Sequence, residues 1–182
     1  TYVGVNEPPS PGIIGAVGFY GSRIAMHTGS VGGWEPFGPE RVITRARENV
    51  LFELDGRPAL QLYRDYLGDE AEHLPASALL FPLAIRPASE KAAAVVRTIV
   101  GIDDAEQSMI FAGDVPQGHV GRLMRGGHLE LAAGAAAAAE AANDKLSSFA
   151  LLVSCIGRKL MLGQRVAEEV EMAAEVVLVG QD

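Results

Sequence analysis

The chain is poor in the residues that staple small folds or hold metals. It has a single cysteine, Cys155, among 182 residues, so no internal disulfide can form and a disulfide-bonded scaffold is excluded. Its four histidines, His27, His73, His119 and His128, share no metal-ligand spacing. No H-E-x-x-H, C-x-x-C or C-x-x-C-H stretch is present, which removes the zinc and covalent-haem motifs. A lone axial histidine for non-covalent haem leaves no local signature, so haem stays open as a cofactor. Positive charge is scarce: 15 Lys and Arg stand against 23 Asp and Glu, a net charge of −8. With a pI near 5.0, the chain has no electrostatic footprint for nucleic acid or for an anionic membrane surface. Long apolar runs are missing too. The longest uncharged stretch, Pro8 to Ser22, holds three prolines and four glycines and is too short for a transmembrane span. No signal peptide precedes it, and a chain that opens on Thr1 is expected to be a processed product or a piece of a longer protein. The glycines of Gly12-Ile13-Ile14-Gly15-Ala16-Val17-Gly18 lack the G-x-G-x-x-G spacing and the following helix of a dinucleotide site, and no P-loop is present.

What remains is ordinary globular material, 48% hydrophobic and 21% charged, long enough to bury a core. Residues 1–11 read as a proline-rich lead-in. Gly12–Tyr20 and Ser22–Met26 read as a glycine-bounded hairpin, Arg41–Arg45 and Asn49–Leu54 as strands. Asp55-Gly56-Arg57-Pro58 makes a turn and opens a helix, with Pro58 at its first position and Gly68 as its left-handed C-terminal cap. After a polar loop over 69–77, Leu79–Arg86 reads as a strand. Ala94–Val100, Ser108–Ala112 and His119–Met124 read as a short-looped antiparallel meander. The alanine-rich stretch His128–Asn143 is a helix that approaches a sheet closely. Phe149–Ile156, apolar on both faces, reads as a central covered strand. From Gly157 a long amphipathic helix follows, with Leu162, Val166, Val170, Ala173 and Val177 buried and Arg165, Glu168, Glu169 and Glu175 facing water. The fold class is therefore α+β: a largely antiparallel or mixed sheet packed by helices near 58–67, 128–143 and 157–177.

Chemistry concentrates at one junction, Ser154-Cys155-Ile156-Gly157-Arg158-Lys159, where a strand gives way to a helix. Arg158 and Lys159 place positive charge at the positive end of the helix dipole, which costs a few tenths to ~1 kcal/mol unless an anion compensates. The anion is either a bound ligand clamped by Arg158 or an internal Asp or Glu. Cys155 has two readings as well. It is a thiolate activated by the helix terminus and two cations, or a small hydrophobe that alternates with Phe149, Leu151 and Val153 into the core. Trp34, in Gly33-Trp34-Glu35-Pro36-Phe37-Gly38-Pro39, either lines a small-molecule pocket or plugs a sheet edge. The candidate ligand-binding residues are Trp34, Cys155, Gly157 and Arg158. No paired carboxylate or triad-like set is found, which favours a non-enzymatic ligand-binding domain; a cysteine-dependent enzyme using Cys155 is a rival reading.

An ordered set of short motifs resembles one family. It comprises Gly33-Trp34, Phe37-Gly38-Pro39, Val42-Ile43-Thr44-Arg45, Asn49 to Gly56, Pro58-Ala59-Leu60, Leu74-Pro75, Phe81-Pro82 and Ala112-Gly113-Asp114-Val115-Pro116-Gln117-Gly118. Ser154-Cys155-Ile156-Gly157-Arg158, Leu162-Gly163-Gln164-Arg165 and Glu168-Glu169 complete it. Together they resemble the FIST domain (F-box and intracellular signal transduction), its C-terminal part preceded by the end of its N-terminal part. The resemblance implies a cytoplasmic bacterial sensory domain that is not an enzyme. It would bind a small ligand such as an amino acid, or haem as in nitric-oxide sensing members, and act on a signalling partner such as a histidine kinase. It also implies that residues 12–182 form the FIST C-terminal-like domain, a segment of a longer two-part module.

Overall fold

The computed structural model describes residues 2–4, 6–89, 93–143 and 149–179. Among the described residues, eleven strands, four α-helices and short 3₁₀ turns make an α+β architecture. Tyr2–Val3 (β1) and Ser10–Pro11 (β2) pair by themselves. The remaining strands form one antiparallel sheet of nine. Its order runs Val95–Arg97 (β8), Leu83–Arg86 (β7), Val120–Gly126 (β11), Arg41–Arg47 (β4), Val50–Leu54 (β5), Ser108–Phe111 (β10), Ile99–Asp103 (β9). Trp34–Pro36 (β3) lies beside β11, and Arg57–Pro58 (β6) beside β5. Among the described residues no helix is long and apolar enough to cross a membrane.

The core forms on one face of this sheet. Register pairs Met109 with Leu51 and Ile43 with Leu54, so these side chains share a face. Ala59–Leu67 (α1) covers that face with Leu60, Leu62 and Tyr63, all buried. The turn that delivers α1 is a two-residue hairpin between β5 and β6, with Asp55 at φ 50° and Gly56 at φ 73°. Asp-Gly favours this turn because both residues tolerate positive φ. Pro58 thus ends a strand and precedes the first helical residue, while Gly68 closes α1 with positive φ, 56°, but with ψ −124°, so it is not the left-handed cap expected.

Tyr63 is buried in this core and its hydroxyl donates to the Phe81 carbonyl at 3.1 Å. Burial pushes its phenol above the ordinary value. The fold therefore favours the neutral ring. That stability is present below about pH 10 and is lost as pH climbs beyond it. Urea unfolding between pH 8 and 11 should show a steeper alkaline loss in the wild type than in Tyr63→Phe, which costs about 1 kcal/mol at neutral pH. Equal slopes would contradict the assignment.

Several expectations are corrected. Residues 12–33 form no strand, since their seven glycines offer few side chains to pair or pack. Residues 149–155 form none either, and Phe149 and Val153 stay 70% and 88% exposed. An apolar sequence becomes a central strand only where neighbouring strands flank it, and here none does. The two extended segments touch through Phe19 and Phe149, ring centroids 6.2 Å apart. Leu79 and Leu80 belong to a 3₁₀ turn, Ala76–Leu80, so β7 begins at Leu83. Within the expected meander only β9 and β10 pair; β11 leaves to sit between β7 and β4. The alanine helix, His128–Ala142 (α2), packs chiefly on another helix, Val166–Val179 (α4), rather than on the sheet. The long C-terminal helix is broken at Gly163, φ 54°, separating Ile156–Leu162 (α3) from α4. That break rotates the stripe: Glu169 is buried and Val170 is exposed.

Candidate functional site

One of the four candidate residues, Arg158, is half of a buried ion pair. Arg158, on the first turn of α3, directs its guanidinium inward. Nε donates to Glu169 Oε1 of α4 at 2.5 Å, Nη1 to the Gly32 carbonyl at 2.6 Å, and Nη2 to the Leu131 carbonyl of α2 at 2.5 Å. Glu169 Oε2 accepts from Ser154 Oγ at 2.8 Å. Both charged side chains are nearly sealed from water, 8% and 9% exposed. The rigid fork of arginine is what allows one side chain to meet three acceptors in three segments. The anion that compensates the α3 terminus is thus a carboxylate of the same chain.

The backbone around this pair is drawn together by glycines. A Cβ on Gly33, which stands at φ 65°, would lie 2.4 Å from the Glu130 carbonyl oxygen. One on Gly134 would lie 2.9 Å from the Gly33 Cα. Chain and helix therefore touch backbone to backbone, which brings the Gly32 carbonyl to Arg158. Trp34 lies on β3 rather than in a loop; it is half-buried and its ring rests over Gly126 of β11. A Cβ on Gly157 would stand 3.2 Å from the Leu79 carbonyl oxygen. Cys155, at the N-cap of α3, is exposed rather than in the core. With no strand at 149–155, alternation does not carry its sulfur inward.

A second polar cluster escaped the sequence reading. Arg41 Nε and Nη2 donate to the Tyr66 hydroxyl at 3.1 and 2.6 Å, and Nη1 donates to Asp55 Oδ2 at 2.9 Å. Asp55 Oδ1 accepts from the Val42 amide at 2.8 Å. Hydrogen bonding to Tyr66, and then to Asp55, raises Arg41 above its ordinary value. These groups stand beside a cavity of about 20 Å³ lined by Phe37, Leu62, Tyr63, Met109 and Leu123, room for about one water. Of its lining residues Pro39 is exposed, Phe37, Arg41 and Tyr66 are half-buried, and the rest are buried. Positions 41, 55 and 66 carry no shared spacing; only the Asp55-Gly56 turn signal hinted that strand and helix meet here.

No histidine lines this cavity, which is too small for a porphyrin, and His27, His73 and His128 are exposed. No group of three or more His, Cys, Asp and Glu could hold a metal among the described residues.

Family models place this geometry. The model of the FIST N domain matches residues 1–57 and that of the FIST C domain matches residues 59–181. No curated protein and no solved structure matches the chain. The boundary at residue 58 falls on the hairpin that delivers α1. The β4–β5 ladder on its near side and the strands of the far side nevertheless share one sheet. The chain belongs to the FIST family of signal-transduction sensory domains.

Proposed function

We propose that this chain is an intracellular sensor of a small polar or anionic molecule, an amino acid being the simplest candidate. Occupancy would pass to a signalling partner such as a histidine kinase. The observation that carries the reading is the apolar cavity lined on one part by the hydrogen-bonded Arg41 and Tyr66. The cavity holds only about one water, so the ligand site opens when the Tyr66 ring moves out; apolar walls with a few convergent polar groups are the usual make-up of a small-molecule site. A ligand carboxylate takes the place of Asp55 on Arg41. That exchange is cheap, because the Arg41–Asp55 pair is partly exposed and such pairs contribute about 0–1 kcal/mol. The apolar part of the ligand enters by displacing the Tyr66 ring. Tyr66 sits on α1, so occupancy is transmitted to a helix.

A thermal-shift screen of amino acids and small carboxylates tests this. A ligand at 100 times its dissociation constant should add about 2.7 kcal/mol, and Arg41→Gln should remove the shift. Trp34 is the sole tryptophan, so its emission reports on the alternative position, beside Trp34, Cys155, Gly157 and Arg158. A shift that survives Arg41→Gln and changes Trp34 emission would move the ligand there. No shift with any compound would sink the sensing proposal.

A further inference from the structure

The sheet face opposite α1 carries its own pattern. Because Met109 and Leu51 face the core, the alternate residues Val50, Phe52 and Ile110 face outward, where they are half-buried. They form the floor of a groove of about 540 Å³. The two walls have opposite charge. Arg45 and Arg47 rise on the β4 side, Asp103 and Glu106 on the β9 side. Arg45 is held by Glu53 at 2.9 Å and stacks on Phe52. Asp103 Oδ1 accepts the amides of Ala105 and Glu106. Arg47 and Glu106 have no side-chain partner among the described residues. From β4 to β9 there are three strand spacings, roughly 14 Å.

We infer that this face docks an amphipathic α-helix of a partner protein. Its apolar stripe would lie on Val50, Phe52 and Ile110, its acidic flank against Arg47 and its basic flank against Glu106. The dimensions fit: a helix with side chains is about 10–12 Å across, and apolar anchors at helical spacing are how grooves take helices. The charges fit as well. A free amino acid holds its charges too close together to meet both walls, whereas the two flanks of a helix reach them. The opposed walls also fix the direction in which the helix lies.

The probe is a labelled 18-residue helical peptide with a leucine stripe, glutamate on one flank and lysine on the other, followed by fluorescence anisotropy. The mixed-flank peptide should bind saturably. Arg47→Glu makes the unpaired charges on both walls acidic, so it should weaken that peptide at least tenfold and strengthen an all-lysine-flank version. Adding Glu106→Lys reverses both walls and should restore the mixed peptide, now lying in the opposite direction. Arg41→Gln should leave this binding unchanged, which separates it from the small-ligand proposal. Three results would overturn it: no saturable binding, binding indifferent to Arg47→Glu, or displacement of the peptide by a small zwitterion.

Discussion

Replacing Arg158 by methionine is expected to destabilise the chain by about 3–5 kcal/mol, a large part of the 5–15 kcal/mol typical of a domain. Methionine keeps the helix propensity and most of the apolar stem, so the loss isolates the guanidinium. Without it Glu169 is a buried carboxylate facing Ser154 alone, and the Gly32 and Leu131 carbonyls lose their donors. Arg158→Lys should recover part of the loss, because an ammonium is a point charge that cannot present the fork. The decisive comparison is the double variant Arg158→Met/Glu169→Leu. An apolar pair removes the uncompensated charge, so it should be clearly more stable than Arg158→Met alone. Urea unfolding of the four proteins measures this. A loss under 1 kcal/mol for Arg158→Met would mean that the guanidinium is solvated and the elements are held by other contacts.

That ion pair also marks the boundary of what local sequence could reveal. The wrong-sign charge at the start of α3 correctly demanded an anion, yet spacing alone could not choose between a ligand and Glu169. Glu169 reads as a water-facing residue if the helix runs unbroken from Gly157. It turns inward only because Gly163 adopts φ 54° and resets the helical phase. A glycine within an apolar helical pattern permits that break without announcing it. The strands β4 and β5 and the helix α1 were legible, because β-branched runs, the Asp55-Gly56 turn and the Gly68 cap are local signals. The placement of β11 between β7 and β4 was not, since pairing partners are chosen by the whole sheet. Residues 149–155 make the same point in reverse. Their two apolar faces announce a covered strand, but coverage depends on other segments, and Val153 remains exposed. The Arg41–Tyr66–Asp55 cluster joins three elements and has no one-dimensional trace.

The second large effect is expected at Gly33, where two penalties that are usually confounded can be separated. Gly33→Ala adds a methyl to a residue at φ 65°, which costs about 1–2 kcal/mol for any L-side chain. It also places that methyl 2.4 Å from the Glu130 carbonyl oxygen, part of helix backbone that cannot swing aside. The total should reach about 3 kcal/mol or more, in the range of strain plus overpacking. Gly56 supplies the control. It has positive φ, 73°, but a Cβ on it would meet nothing within 4 Å. Its alanine variant should lose only the conformational part, about 1–2 kcal/mol. Gly134→Ala tests the contact from the other side. It gains up to about 1 kcal/mol of helix propensity, yet its Cβ would stand 2.9 Å from the Gly33 Cα, so the sign is decided by packing and should be destabilising. If Gly33→Ala costs no more than Gly56→Ala, residues 29–33 do not press on α2, and the Gly32 carbonyl is not delivered to Arg158 by that contact. If it costs more, and the excess disappears when Arg158 is already methionine, the close approach and the ion pair are one cooperative unit.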